Sequence, residues 1–242
     1  MDLVRVVSHI IEPSRLLLRW QAGTRAVPEN RTHWIVATLT RDAGSFGEAI
    51  KFEYRMDQDL IEPNNLGFQG YPAFRLDTSY EGAVLDVFMK RLPPRSRGDF
   101  REYLAFHCLP ADANISDFAL LGYTGAKLPS DGFSFIHPFD DTNGPCEFRM
   151  DVAGWRHYRE PLPRMRIDLP VTFKPEPSNA HDPGAIQVIS EGEVLGYVPR
   201  GLTDSFHRWL GKCDVTAVVH SVPLPEERPD LALFVWVCPR PS

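Results

Sequence analysis

The 242-residue sequence predicts an α+β fold in two parts. A mixed sheet-plus-helices domain is expected over residues 1–140, and a strand-rich domain with one packed helix over residues 146–242. Three observations support this. Runs of β-branched and aromatic residues, such as His33 to Thr40 and Val171 to Lys174, suit strands. Apolar residues recur at helical spacing between Val84 and Tyr123. A polar, turn-rich stretch from Phe139 to Pro145 separates the two patterns.

In the first part, Val4 onward reads as a strand, Pro13-Ser14 as a turn, and Leu16 to Trp20 as a second strand. Gly23 to Asn30 is a loop. His33 to Thr40 is a strand with Lys51 to Arg55 as its partner, joined by a turn over Asp42 to Gly47. Asp57 to Asp77, rich in Pro, Asn and Gly, reads as an ordered surface loop with Phe68, Tyr71 and Phe74 packed beneath it. Val84, Leu85, Val87, Phe88 and Leu92 mark a helix that Pro93-Pro94 stops. Asp99 opens the next helix, carrying Phe100, Tyr103, Leu104 and Phe106. Ser116-Asp117 opens a third, with Phe118, Leu120, Leu121 and Tyr123, and Gly125 ends it. Phe133 to Ile136 is a strand.

In the second part, Gly154 to Tyr158 reads as a strand. Val171 to Lys174 is another, after which Pro175, Pro177, Pro183 and Gly184 forbid regular structure around Asn179 to Asp182. Ala185 to Ile189 alternates as a half-buried strand, Glu191-Gly192-Glu193 turns, and Val194 to Val198 returns as a hairpin arm. Pro199 suits the first turn of a helix continued by Leu202, Phe206 and Leu210. Asp214 to Ser221 and Leu231 to Cys238 close the sheet.

Three blocks in order, Gly154-Trp155-Arg156-His157-Tyr158, Asn179-Ala180-His181-Asp182-Pro183-Gly184-Ala185-Ile186 and Val194-Leu195-Gly196-Tyr197-Val198-Pro199, resemble the signature of the HIRAN domain. That resemblance implies a small OB-like β-barrel. It also implies recognition of single-stranded DNA or DNA 3′ ends. In the first part, Phe118 to Phe135 and the preceding elements resemble the N-terminal subdomain of HipA-type kinases. The kinase core that would follow there is replaced by the second domain, so no kinase activity carries over.

The composition sets bounds. With 43% hydrophobic and 24% charged residues, the chain is expected to bury a core. No apolar run is long enough to span a bilayer. Met1-Asp2-Leu3 lacks the pattern of a signal peptide. A soluble cytoplasmic protein is expected. Cys108, Cys146, Cys213 and Cys238 are far apart and read as isolated buried thiols. The net charge of −6 argues against a broad nucleic-acid coat, though not against a small basic site. No nucleotide-binding, zinc-protease or serine-hydrolase motif occurs, and no histidine stands at metal-ligand spacing. The sequence therefore predicts a non-catalytic protein without metal or cofactor. Asp140-Asp141, beside Thr142-Asn143-Gly144, reads as a solvated turn.

The binding candidates lie in the second part. Arg156, Arg159, Arg164, Arg166, Lys174 and Arg200 face few acids there, chiefly Glu160, Asp168 and Glu176. The resemblance implies that Arg156 and Arg200 meet phosphate, and that His157, His181 and Tyr197 stand where the family places aromatic or polar-aromatic groups. It also implies that Asn179 is the loop asparagine and that Asp182 meets the terminal hydroxyl. Lys174 completes the candidate set. The chemistry is consistent: arginine grips phosphate with charge-assisted bonds, and a carboxylate accepts a proton that only a free 3′-hydroxyl offers. Asn179 and Asp182 are equally suited to hold a turn by bonding to backbone. The expected partners are single-stranded DNA or DNA ends, with a kinase, helicase or nuclease as a protein partner. The rival reading is a protein-interaction module of a toxin–antitoxin or phage-defence system without DNA binding.

Imidazole as a class gains charge as pH falls through the physiological range. Histidines on a phosphate-binding face therefore predict tighter DNA binding at about pH 6 than at about pH 8. A titration series at fixed ionic strength checks this, and the double substitution His157→Phe, His181→Tyr is expected to flatten the response.

Overall fold

A computed structural model describes residues 5–22, 32–44, 47–55, 58–128, 131–140, 142, 144–158, 165–222 and 231–240. Arg159, Glu160 and Arg164, the Gly23 to Asn30 loop, and the turn residues 45, 46 and 141 lie outside them. The chain forms two compact units. One comprises Glu12–Phe100 and Asn114–Asp141; the other comprises Met1–Ile11, Arg101–Ala113 and Thr142–Ser242. Both are mixed α+β with antiparallel sheets.

The first unit is built on strands β1 (Arg15–Gln21), β2 (His33–Gly44), β3 (Gly47–Tyr54), β4 (Tyr80–Gly82) and β5 (Phe133–Ile136), in the spatial order β4-β3-β2-β1-β5. Strand β1 lies between β2 and β5, and Leu16, Leu17 and Leu18 are all buried. That explains its unbroken apolar run, which a strand covered on both faces requires. The stretch expected as a loop after β3 contains helix α1 (Ile61–Asn65), entered by a 3-10 turn over Gln58–Leu60. Pro63 fits because it stands in the first turn, where its missing N–H is not needed. Beyond it the expected aromatic packing is present: Phe68 meets Trp20 at 5.2 Å and Phe74 stacks on Phe52 at 4.3 Å.

Helices α2 (Val84–Met89), α3 (Phe100–Phe106) and α4 (Asp117–Thr124) stand where the apolar spacing predicts them, but Phe106, expected on the apolar side of α3, is exposed while Phe100 and Leu104 are buried. The Ser116 hydroxyl caps α4 by accepting from Ala119 N, and Gly125 ends it in left-handed backbone. Arg91, just past α2, is buried and donates to both Asp131 oxygens (2.7 and 2.9 Å), to Ala126 O (2.9 Å) and to Phe133 O (2.8 Å). Asp140 pairs with Arg15, so the predicted free turn carboxylate is in fact engaged.

The second unit carries β6 (Cys146–Asp151), β7 (Pro170–Pro175), β8 (Ile186–Ser190), β9 (Glu193–Tyr197), β10 (Cys213–Ser221) and β11 (Ala232–Pro239), in the order β6-β11-β10-β7-β8-β9. Among the described residues, the strands of the expected OB-like barrel do not close into a ladder. Its two edges meet through one antiparallel bridge, in which Ala153 and Tyr197 exchange N–H···O bonds of 2.8 Å. Helix α5 (Thr203–Lys212) buries Phe206 and Trp209. Phe206 lies 4.8 Å from Phe173, and Trp209 lies 5.9 Å from Phe148. The helix starts four residues later than Pro199, because Gly201 adopts left-handed backbone that no helix can run through.

Residues 5–11, read as beginning with a strand, form no regular element. Their backbone is satisfied otherwise: Ser8 N and His9 N donate to the buried Glu147 carboxylate at 3.0 and 2.9 Å, and Val7 N donates to Cys108 O. Three of the cysteines are buried as expected, but Cys238 is exposed near the end of β11. Burial pushes the Cys108 thiol up to about 11, even though His220 Nε2 stands 3.4 Å away, so it is a poor nucleophile. None of the described helices is long and apolar enough to cross a membrane.

The Arg91 clamp yields a stability test. Arg91→Ala takes a donor from two carbonyls and from an Asp131 carboxylate that keeps its bond from Phe133 N, and is expected to cost about 1–3 kcal/mol, as leaving a buried acceptor unsatisfied does. Urea unfolding checks this; a loss under about 0.5 kcal/mol, the range of an ordinary surface change, would show the clamp to be dispensable.

Candidate nucleic-acid interface

The site is assembled around the β7–β8 connection. Pro175 and Pro177 flank Glu176 and leave the chain extended there rather than helical. At Asn179 the chain turns: Asn179 Oδ1 accepts from His181 N at 2.9 Å and from Asp182 N at 3.1 Å. This side-chain-to-backbone turn is the arrangement expected of asparagine in a proline-flanked loop. Asp182 repeats it one step on, with Oδ1 accepting from Gly184 N at 2.9 Å. Backbone bonds then lead the chain into β8, Ala185 N to Asp182 O and Glu176 N to Ala185 O.

Glu176 is the centre of the polar network. Its Oε2 accepts from Asn179 Nδ2 at 2.6 Å and from the Tyr197 hydroxyl at 3.0 Å, and its Oε1 accepts from Gln187 Nε2 at 2.8 Å. The Asn179 bond is the largest influence on its pKa and lowers it. Partial burial opposes this, while the Tyr197 and Gln187 bonds and the Lys174 charge add to the lowering. Tyr197 also accepts from the Tyr158 hydroxyl at 3.2 Å. Burial, the Tyr158 bond and the Glu176 carboxylate all raise the Tyr197 pKa, which keeps the phenol protonated.

Several candidates are thus brought together. Asn179 and Tyr197 share Glu176, with a further 3.4 Å contact between them. Asp182 Oδ2 pairs with Arg200 Nε at 3.3 Å, and Arg200 also reaches His181 O at 3.5 Å. His207 of α5 donates from Nε2 to Gly184 O at 3.0 Å. The His181 side chain is exposed beside this turn, and Lys174 is exposed on β7 opposite Gln187.

The block Gly154 to Tyr158 is not the strand that the sequence predicts. Ala153 makes the last pairing with β9, and the chain then enters a 3-10 turn over Trp155–His157. The turn passes so close to β9 that a Cβ on Gly196 would lie 2.4 Å from Ala153 O and 2.7 Å from Val152 Cγ1. Gly196 is therefore required for this close approach. Arg156 is half-buried and His157 exposed on the turn; among the described residues neither side chain makes a hydrogen bond or ion pair. The two stand three and four residues beyond Ala153, which bridges to Tyr197.

Sequence reasoning missed Glu176, Tyr158 and Gln187 as site residues. By charge alone Glu176 reads as an acid offsetting nearby arginines. Its signal was an ionisable residue held between two prolines, just before an asparagine turn.

Residues 146–237 match the family model of the HIRAN domain. The match covers less than half of the chain and supports the HIRAN resemblance of the second part. Two solved structures are similar to it. The crystal structure of the HIRAN domain of human HLTF is 19% identical with a TM-score of 0.33, covering 40% of this chain and 80% of that chain. A crystal structure of a Lactobacillus plantarum protein is 22% identical with a TM-score of 0.32, covering 39% of this chain and 97% of that chain. No curated protein matches the chain. These matches lend no support to the HipA-like resemblance of residues 1–140.

The lowered Glu176 pKa has a stability consequence. The unfolded chain holds this proton more tightly, so the group stabilises the fold above the ordinary carboxylate pKa, and that contribution is lost as pH falls through the lower folded value. Wild type is expected to be more stable than Glu176→Gln at pH 7, with the gap closing below about pH 4. Chemical denaturation at a series of pH values checks this, and a gap independent of pH would count against it.

Proposed function

We propose that this protein is a non-catalytic binder of single-stranded DNA that recognises 3′ ends through the face formed by Arg156, His157, Lys174, Asn179, His181, Asp182, Tyr197 and Arg200. The observation that carries the reading is the HIRAN family match over residues 146–237. The physical support is that its second and third blocks converge on one turn, through Asn179 and Tyr197 on Glu176 and through Asp182 on Arg200. Arg156 and Lys174 supply cations for phosphate, where charge-assisted bonds are strongest. Asp182 supplies an acceptor for a terminal hydroxyl, and Oδ2 retains lone-pair capacity beyond its long contact with Arg200. His157, His181 and Tyr197 supply ring faces for an unpaired base.

The role proposed is that of an accessory factor in DNA repair or genome defence, working beside a separate kinase, helicase or nuclease. The OB-like barrel is part of this proposal, supported by the Ala153–Tyr197 bridge that joins the two ends of the second unit's strand order.

Fluorescence anisotropy with oligonucleotides ending in a 3′-hydroxyl or a 3′-phosphate tests the reading. Preference for the free hydroxyl is expected. Arg156→Ala is expected to weaken binding to all sequences alike and to flatten the dependence on salt, by a slope of about one. Equal affinity for both ends removes end recognition, and no binding at low salt removes DNA binding altogether. The protein-interaction reading would then stand, as the net charge of −6 favours.

A further inference from the structure

Building on the DNA-end reading, we propose that Glu176 is the positioning residue of this site, acting through Asn179 and Tyr197 to hold the turn that presents Asp182. A carboxylate can only accept hydrogen bonds. Asn179 must therefore turn its NH2 toward Glu176 Oε2, at 2.6 Å. Its carbonyl oxygen is then left to accept from His181 N and Asp182 N. Those two bonds fix the backbone at Asp182. Its Oδ1 is committed to Gly184 N, and Oδ2 is turned toward Arg200.

The same carboxylate sets the direction of the second arm. Tyr197 donates to Glu176 and accepts from Tyr158, so the hydroxyl chain runs Tyr158 to Tyr197 to Glu176. Gln187 holds the other oxygen, which stops the carboxylate from rotating away. Glu176 thus joins the first, second and third blocks, although it belongs to none of them.

Replacing Asn179 by Asp sets one carboxylate against another, since neither can donate. Residue 179 must then swing away from Glu176 and draw its accepting oxygen away from the N–H groups of His181 and Asp182, which opens the turn. Exchanging the pair cures the conflict. In the double variant Glu176→Gln, Asn179→Asp, residue 176 donates and residue 179 accepts on both sides. The Tyr197 hydroxyl adapts because it can both donate and accept.

The experiment measures anisotropy of wild type, Glu176→Gln, Asn179→Asp and the double variant. The same 3′-hydroxyl and 3′-phosphate oligonucleotides are used at one low salt concentration. The readout is the ratio of the two affinities, which a general loss of stability would not move. Asn179→Asp is expected to lose about tenfold of the hydroxyl preference, the size of one lost charged hydrogen bond, and Glu176→Gln to keep most of it, because its remaining oxygen still accepts from Asn179. The double variant is expected to regain most of it. An unchanged ratio in a folded Asn179→Asp overturns the inference while leaving the DNA reading intact. If Asn179→Asp does not fold, a folded double variant decides: a restored ratio supports the inference and an absent one overturns it. Wild type that binds neither oligonucleotide, or both equally, overturns the end-recognition reading and this inference with it.

Discussion

One half-buried carboxylate organises the polar part of the second unit. Glu176 accepts from Asn179, Tyr197 and Gln187, and each donor comes from a different segment. A carboxylate that accepts several hydrogen bonds is stabilised as an anion, which is why its pKa lies below the usual range. The cost of an alternative arrangement is high, because each donor would have to find another acceptor in a partly desolvated place. The network therefore has one satisfied pattern, and the orientation of the Asn179 amide follows from it.

The sheet makes that pattern possible. Strands β7, β8 and β9 place Lys174 opposite Gln187 and Gln187 opposite Tyr197, so the three positions form one cross-strand row. Gly196 lets the Ala153 segment approach β9 closely enough to bridge at Tyr197. Helix α5 seals the apolar side with Phe206 and Trp209, and His207 on the same helix ties back to Gly184. Apolar packing and the polar turn are thus held by one helix.

The first unit shows the same economy with a cation. Buried Arg91 gathers the Asp131 carboxylate and the carbonyls of Ala126 and Phe133 with one guanidinium. Around it the aromatic cluster of Phe52, Phe68, Phe74 and Phe88 fills the space that the short strands and helices leave. Such aromatics bury large areas per residue, which suits a unit whose helices are only five to eight residues long.

Local chemistry sufficed for much of this. Ser116 and Gly125 marked both ends of α4, because capping is decided by the residues at the ends. The alternation in β8 and the turn at Glu191-Gly192 revealed the hairpin. Asn179 and Asp182 announced their turn, since their side chains bond to backbone two or three residues away. Tertiary structure decided the rest. Residues 5–11 abandoned strand pairing for the Glu147 carboxylate, which is 138 or more residues distant in the chain. The Trp155–His157 turn depends on a bridge to Tyr197, and the role of Glu176 depends on donors 11 and 21 residues away. Periodicity and propensity report what a residue does to its neighbours in sequence. A carboxylate that serves several segments is defined by where the fold brings them, and no local pattern contains that.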